Sequence, residues 1–189
     1  MIKTRKAAPF FRRGERYRIS GRLMEAINEY RSAIQYDDQH PYYRFKLAET
    51  LLAVGMIQEA SEQLEMACTL DFENGYYHFR LAEVYNRMNR ISDAIAEMQQ
   101  ASLFSPTDSY YNIRLGILYL QCDNVADAVF AFHRAVSQEP KNPSYHCLLG
   151  DAYVKLGSER QALRHYSCAG DLSDYDTKYL ERMRRLCSD

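Results

Sequence analysis

The sequence predicts an all-α fold of five stacked helical hairpins, and three regularities lead to this prediction. Similar residues recur every 34 positions, with no insertion or deletion. Within each 34-residue unit, small and large apolar residues recur three or four positions apart, the spacing that places them on one face of a helix. Glycine, asparagine, aspartate and proline stand where one helix would end and the next begin. Self-similarity at this period is typical of helical repeat arrays.

The repeat units are defined by two alanines that every unit carries, at places 20 and 27, where a place is a residue's position within its 34-residue unit. Small side chains at places 8 and 20 allow the two helices of a hairpin, helix A and helix B, to approach closely. A large apolar residue at place 24 then fills the space one turn further on. The units span residues 7–40, 41–74, 75–108, 109–142 and 143–176. The alanines are Ala26/Ala33, Ala60/Ala67, Ala94/Ala101, Ala128/Ala135 and Ala162/Ala169.

The turns between helices are marked by two kinds of residue. Place 15 carries a residue that tolerates a left-handed backbone, so helix A is predicted to end there. Pro41 and Pro143 open helix A of their units, whereas Pro106 and Pro140 close helix B. We therefore expect no proline in the interior of a helix. The residues at place 15 are Gly21, Gly55, Asn89, Asp123 and Gly157.

This pattern resembles the tetratricopeptide repeat (TPR) family over about 170 of the 189 residues. The resemblance rests on leucine followed by a small residue at places 7 and 8, a mostly aromatic place 11, the two alanines, and proline at place 32. It implies a right-handed α-solenoid. The chain departs from the family in having no tryptophan, and the usual aromatic at place 4 stands one residue earlier. Those aromatics are Tyr43, Tyr77, Tyr111 and Tyr145.

The two ends of the chain differ from the middle repeats. Residues 1–6 are predicted to form a basic tail, and the first helix, over residues 9–20, is expected to be degenerate because Arg13 stands where the family has leucine. At the other end, residues 177–189 place Tyr179, Met183 and Leu186 on one face. That face predicts a C-terminal capping helix over the last hairpin.

The charges are distributed unevenly along the chain. The formal net charge is −1, which argues against wholesale binding of nucleic acid. Residues 1–22 nevertheless carry +7, whereas residues 23–176 carry −10. A basic head on an acidic body can attract an anionic partner, or another copy of the same chain.

Cysteine usage and hydropathy point to the cytoplasm. The five cysteines are an odd set without C-x-x-C spacing, so we expect reduced thiols rather than a disulfide framework. No apolar region follows the charged N-terminus, and no stretch approaches the roughly 18 to 20 apolar residues that span a bilayer. The sequence therefore predicts a cytoplasmic protein without a membrane span.

The sequence does not favour an enzyme. It contains neither of the glycine-rich phosphate-binding motifs, and its five histidines form no H-E-x-x-H and no Cys/His set at zinc spacing. His146 and Cys147 are neighbours on a helix and point about 100° apart, so they cannot form a nucleophile–base pair with each other. They are interpreted as a surface histidine next to a half-buried thiol. We expect no catalytic residues, no metal and no cofactor.

Candidate partner-binding residues follow from the family resemblance. Tetratricopeptide arrays line a concave surface with places 2, 5, 6, 9, 12 and 13 of helix A. In this chain those places form an aromatic ladder beside a cationic one, with acidic residues a turn away. The predicted peptide- or partner-binding residues are Tyr42, Phe45, Lys46, Glu49, Tyr76, Phe79, Arg80, Glu83, Asn86, Arg87, Tyr110, Arg114 and Gln121.

Two interpretations of these residues stay open at this point. In the first, the phenylalanines pack between adjacent hairpins, and Lys46–Glu49 and Arg80–Glu83 are ion pairs within a helix that contribute a few tenths of a kcal/mol each. In the second, tyrosines and arginines recognise an extended or helical segment of a partner. Aromatic rings supply contact area at low entropic cost, and guanidinium groups bind carboxylates or backbone carbonyls directionally.

The leading functional prediction is a non-catalytic adaptor or scaffold that binds a peptide segment or partner protein in the Tyr/Phe/Arg-lined groove. A second hypothesis is self-assembly into a homo-oligomer, in which the basic N-terminal region docks on another copy. A minor alternative is an anionic partner such as nucleic acid, bound through residues 3–22.

Overall fold

The computed structural model describes residues 2–172, 181, 182 and 185, with side chains from residue 5 onward, and all secondary structure in this part of the chain is helical. Ten helices follow one another within residues 2–172. They are α1 (Ile2–Ile19), α2 (Leu23–Tyr36), α3 (Pro41–Ala53), α4 (Ile57–Leu70), α5 (Gly75–Arg87), α6 (Ile91–Phe104), α7 (Ser109–Gln121), α8 (Val125–Gln138), α9 (Pro143–Lys155) and α10 (Glu159–Leu172).

The helix lengths follow the 34-residue period. The A helices α3, α5, α7 and α9 span 13 residues each, and the five B helices span 14 residues each. The prediction of five helical hairpins is confirmed. None of the helices in the described part of the chain is both long and apolar enough to cross a bilayer.

The hairpins belong to two compact units, residues 1–104 and 105–189. In the first unit, α1, α3 and α5 each pair with the helix that follows, and α2 and α4 also pack against the next A helix. In the second unit, α7 pairs with α8 and α9 with α10, and α8 packs against α9. Every A–B pair brings its two alanines into the core, where all ten are fully buried.

Each hairpin is closed by a small residue at place 8 facing a large one at place 24, and the two sizes compensate. An added Cβ on Gly116 would stand 2.7 Å from Cδ1 of Phe132, closer than atoms can pack. Glycine likewise faces a tyrosine ring in the first and fifth hairpins. Where place 24 carries a slimmer side chain, Leu64 or Met98, place 8 is alanine. All five residues at place 24 are buried: Tyr30, Leu64, Met98, Phe132 and Tyr166.

The turn from helix A to helix B uses a left-handed residue in every hairpin, as predicted. The φ angles are +77° at Gly21, +83° at Gly55, 59° at Asn89, 58° at Asp123 and +73° at Gly157. Asparagine and aspartate reach this region more readily than other side-chain-bearing residues. The N-termini of α5, α7, α8 and α9 are capped by side chains that accept backbone N–H bonds: Asn74, Asp108, Asn124 and Asn142.

The N-terminal predictions are wrong in two respects. Residues 2–6 are not a tail but the first turns of α1, and Pro9 lies inside that helix. A proline there costs a backbone hydrogen bond. Packing outweighs that cost, since the α1 side chains of Ala7, Phe10 and Phe11 join a cluster with α2 and α3. Most helical stability in proteins comes from such packing rather than from local propensity.

The first hairpin also differs from the others at place 7, where leucine is replaced by Arg13. Arg13 Nε donates to Glu29 Oε2 of α2 over 3.0 Å, so an ion pair replaces the apolar contact. At the other end of the chain, the predicted capping helix lies outside the described residues except for 181, 182 and 185. Of these, Arg182 pairs with Asp151 of α9 at 3.1 Å.

We predict that Gly116→Ala lowers the free energy of unfolding by about 1–3 kcal/mol, because overpacking against Phe132 outweighs the better helix propensity of alanine. The double variant Gly116→Ala/Phe132→Leu recreates the alanine–leucine pairing of the second hairpin. It should be more stable than the sum of the single changes implies, with a coupling of about 0.5–3 kcal/mol. Urea denaturation of the four proteins measures this coupling.

Gly157→Asn is the control for this experiment, because asparagine already occupies the same turn place at residue 89 with positive φ. Its free energy of unfolding should stay within about 0.5 kcal/mol of the parent value. Strictly additive effects of the changes at residues 116 and 132 would contradict the size compensation.

Candidate functional site

In residues 2–104, the predicted site lies on the A-helix face, the surface formed by places 2, 5, 6, 9, 12 and 13 of α1, α3 and α5. Its centre is a continuous row of five aromatic rings: Phe11, Tyr42, Phe45, Tyr76 and Phe79. Consecutive ring centroids lie 5.7, 6.2, 5.6 and 6.0 Å apart. Rings at these separations support one another, because aromatic pairs are favourable at 4.5–7 Å.

The rings in this row alternate between the surface and the core. Tyr42 and Tyr76 are 41% and 46% exposed, whereas Phe45 and Phe79 are only 6% and 8% exposed. Phe45 stacks on the ring of Tyr77 at 5.1 Å, so it belongs to the packing between hairpins. The packing interpretation therefore applies to the phenylalanines, and the tyrosines provide the exposed aromatic surface.

The charged residues of this face form ion pairs between and within hairpins. Arg80 Nη2 lies 2.6 Å from Glu49 Oε1 of the preceding hairpin, and Arg80 Nη1 lies 3.5 Å from Glu83 Oε2. The expected Arg80–Glu83 pair is thus present. Glu49, which was expected to pair with Lys46, instead contacts Arg80. Lys46 Nζ lies 5.4 Å from the centroid of the Tyr42 ring.

The other predicted residues are divided between the two units. Asn86 is half-buried and Arg87 exposed at the end of α5. In the second unit, Tyr110 is 44% exposed, with the Arg114 guanidinium 6.0 Å from its ring centroid, and Gln121 is exposed at the end of α7. The structure thus keeps every predicted tyrosine accessible to a partner.

A set of polar contacts that the sequence pattern had not predicted lies at place 4, where the family has its aromatic residue. Arg44 and His78 each bond the backbone carbonyl at place 32 of the preceding repeat. Arg44 Nη2 donates to Asp38 O over 3.1 Å, and His78 Nε2 lies 2.8 Å from Phe72 O. Each also contacts place 23 of its own repeat, Gln63 and Glu97 respectively. The replacement of the aromatic by polar residues was the signal available in the sequence.

His146 repeats this arrangement, and the interpretation of it as a surface histidine is wrong. It is 7% exposed, with Nε2 3.0 Å from Pro140 O and Nδ1 3.1 Å from Nδ1 of His165. His146 lies on the side of α9 that faces the preceding hairpin. The presence of Cys147 next to it in the sequence gave no indication of this orientation. Burial, together with the charges of His146 and His133, lowers the pKa of His165 to about 4.

His78 has the opposite electrostatic environment. Burial alone would lower its pKa, but hydrogen bonds with Cys68, Glu97 and the carbonyl of Phe72 outweigh burial and raise it to about 10. The ligand-type atoms of Cys68, His78 and Glu97 all lie within 4.8 Å of one another. These three residues come from α4, α5 and α6, so no local motif could reveal the cluster.

The comparisons with known proteins match the fold and the repeat. The family described as TPR repeat matches residues 14–55. A MamA protein of known structure superposes with a TM-score of 0.81 at 21% identity, covering 95% of this chain and 97% of its own. YrrB, described as a TPR protein with an unusual peptide-binding site, gives 0.77 at 18% identity, covering 94% and 92%.

These repeats have the fold of tetratricopeptide repeats. A third structure, the thermophilic TPR protein TTC0263 of Thermus thermophilus, gives a TM-score of 0.57 at 19% identity, covering 97% of this chain and 100% of its own. No curated protein sequence matches the chain. The predicted fold class, an all-α solenoid of TPR hairpins, is confirmed. TPR arrays generally serve protein–protein interaction rather than catalysis.

We predict that Arg80→Ala lowers the free energy of unfolding by about 1 kcal/mol, because it leaves two half-buried carboxylates of the A-helix face without their shared cation. Arg87→Ala removes an exposed arginine from the same helix and should change stability by less than about 0.5 kcal/mol. Urea denaturation at pH 7 compares the two variants. Equal stability of both would contradict the structural importance of the Arg80 ion pairs.

We also predict that His165 makes stability depend on pH between about 4 and 6.5. Its folded pKa lies below the unfolded value, so its contribution is present above about pH 6.5 and is lost as the pH falls towards 4. The urea midpoint of His165→Gln should therefore decline less than that of the parent over this range. His133→Gln should keep most of the decline, because burial is the main cause of the shift. Parallel curves for parent and His165→Gln would refute this account.

Proposed function

We propose that this chain is a TPR adaptor that binds a polypeptide segment on its A-helix face, with Tyr42 and Tyr76 as the principal contacts. The observation that supports this most directly is the exposure of both tyrosine rings within the aromatic row. Exposed rings of this size, side by side on neighbouring hairpins, are a common feature of protein-binding surfaces.

The tyrosines are suited to this function because they are held in place before a partner arrives. Phe45 lies between them, with its centroid 6.2 Å from that of Tyr42 and 5.6 Å from that of Tyr76. Phe45 is itself fixed in the core. A ring supported in this way loses little conformational entropy on binding, so more of its contact energy contributes to affinity.

The charges around the rings favour a partner recognised by shape and hydrogen bonding rather than by net charge. Arg80 pairs with both Glu49 and Glu83. The charge of Lys46, beside one of the exposed tyrosine rings, balances the remaining carboxylate. Arg87, exposed at the C-terminal end of α5, offers directional bonds to a carboxylate or a backbone carbonyl. We infer a segment with apolar or aromatic side chains for the tyrosines and an acceptor group towards Arg87.

The comparison with YrrB supports the same class of function, since YrrB is described as having a peptide-binding site on a TPR fold. The likeness is one of fold, at 18% identity, so the contact residues proposed for this chain rest on its own geometry.

Self-assembly through the basic N-terminal region remains the alternative hypothesis. Its basis is the set of exposed cations on α1, namely Arg5, Lys6, Arg12 and Arg16. The apolar side of α1, however, packs within its own chain, where Phe10 stacks on Tyr36 at 5.0 Å. This use of the helix favours the adaptor. A chain that is monomeric in light scattering at high concentration would eliminate the alternative.

The adaptor proposal predicts that Tyr42→Ala/Tyr76→Ala loses peptide binding. Peptides are selected from a displayed random library on the parent protein, and their affinities are then measured by fluorescence anisotropy. Loss of two contact rings should weaken binding at least about tenfold, as for interface hot spots. Both rings are largely exposed, so helical circular dichroism should be unchanged.

Phe130→Ala is the matched control, because Phe130 is an exposed aromatic residue on a B helix, outside the A-helix face. It should bind the selected peptides as the parent does. Failure to select any peptide, or equal affinity of the parent and the double tyrosine variant, would refute the proposal. Substitution of Arg80 is less suitable here, because its ion pairs couple binding to stability.

A further inference from the structure

The cluster of Cys68, His78 and Glu97 contains three side chains of the types that bind transition metals. A thiol, an imidazole and a carboxylate come from three consecutive helices, α4, α5 and α6. Their potential ligand atoms all lie within 4.8 Å of one another. Zinc bonds to sulfur, nitrogen and oxygen are about 2.0–2.3 Å long, so the three donors need only small side-chain rotations to reach a common ion.

The histidine is already oriented as metal-binding histidines are. Nε2 of His78 lies 2.8 Å from the carbonyl oxygen of Phe72, an acceptor that requires a proton on Nε2. Nδ1 therefore faces the carboxylate of Glu97, at 2.7 Å. Metal-bound histidines usually donate their other ring N–H to a carbonyl or carboxylate, which fixes the ring and the tautomer.

The cluster also has space for a further ligand. A cavity of about 290 Å³ adjoins it, lined by all three residues and by Glu65, Thr69, Leu81 and Tyr85. Glu65 is held towards this cavity by a hydrogen bond of 2.8 Å from the Tyr85 hydroxyl. A water molecule in the cavity would complete four-fold coordination, and the cavity provides the path by which an ion enters.

The equivalent places at the preceding hairpin junction show that this donor set is not simply a product of the repeat. The α2–α3–α4 junction carries Ile34, Arg44 and Gln63 at the same places. There the polar contact between repeats is made with no thiol and no imidazole. The contact to the carbonyl at place 32 is common to both junctions, whereas the Cys–His–Glu combination is particular to this one.

We propose that Cys68, His78 and Glu97 form a binding site for a divalent transition-metal ion of the zinc class. Thiolate and imidazole ligands favour Zn²⁺ and its neighbours over the hard cations Mg²⁺ and Ca²⁺, which prefer oxygen ligands. An ion bound there joins α4 to α5 and α6, and so fastens the second hairpin to the third. The site is independent of the A-helix face, and its test does not depend on peptide binding.

The test uses the full chain without an affinity tag, reduced and freed of metal by a chelator, and titrated with Co²⁺ as a spectroscopic probe. The parent should bind one Co²⁺ per chain with a thiolate-to-cobalt charge-transfer band, and Zn²⁺ should abolish the band. Zn²⁺ should also raise the melting temperature. Cys68→Ser should lose the band. Glu97→Gln, which alters a partly exposed ligand, should weaken Zn²⁺ binding at least about tenfold.

Cys122→Ser and Cys168→Ser are the matched controls, because both cysteines are exposed. Each should retain the band at full intensity. Three outcomes would overturn the proposal: no thiolate band in the parent, an unchanged band in Cys68→Ser, or equal loss of the band in the controls. If Cys68→Ser fails to fold by circular dichroism, an unchanged Zn²⁺ affinity of Glu97→Gln overturns it in the same way.

Discussion

The close approach of helix A to helix B is the constraint on which the rest of this structure depends. At the crossing, the residue at place 8 lies against a fully buried side chain at place 24, and their sizes vary inversely. Gly116 faces Phe132, whereas Ala48 and Leu64 take these places in the second hairpin. A well-packed core tolerates changes that conserve total volume better than changes that do not. The hairpin geometry is therefore kept while individual residues differ.

Fixed hairpins in turn determine what each A helix presents to its neighbours. Because α3 and α5 have the same length and the same turns, places 2 and 5 of successive repeats form one row of rings. The row alternates buried Phe45 with the exposed Tyr42 and Tyr76. The phenylalanine stabilises the contact between hairpins, and the tyrosines are the proposed contacts for a partner. Packing and the proposed recognition thus use the same row of residues.

Polar groups buried between repeats need partners, and this chain supplies them in a regular way. At place 4, Arg44, His78 and His146 each reach the backbone carbonyl at place 32 of the repeat before, and so satisfy an acceptor near the end of a B helix. The surroundings then decide the chemistry of each residue. Beside Glu97 and Cys68, the contact has the donor set of a metal site, whereas in the fifth hairpin the neighbouring residue is His165, whose pKa is lowered mainly by burial.

The sequence alone determined the five hairpins and the residues at the turns within them, because those features depend on residue sizes and backbone preferences that repeat every 34 positions. It also identified which side chains share the A-helix face. Only the tertiary structure decided which of them are exposed, that Glu49 pairs with Arg80, and that α1 includes Pro9. These outcomes depend on contacts between different helices, and so does the Cys68–His78–Glu97 cluster. Local sequence spacing cannot encode such contacts, because they form only when distant segments pack together.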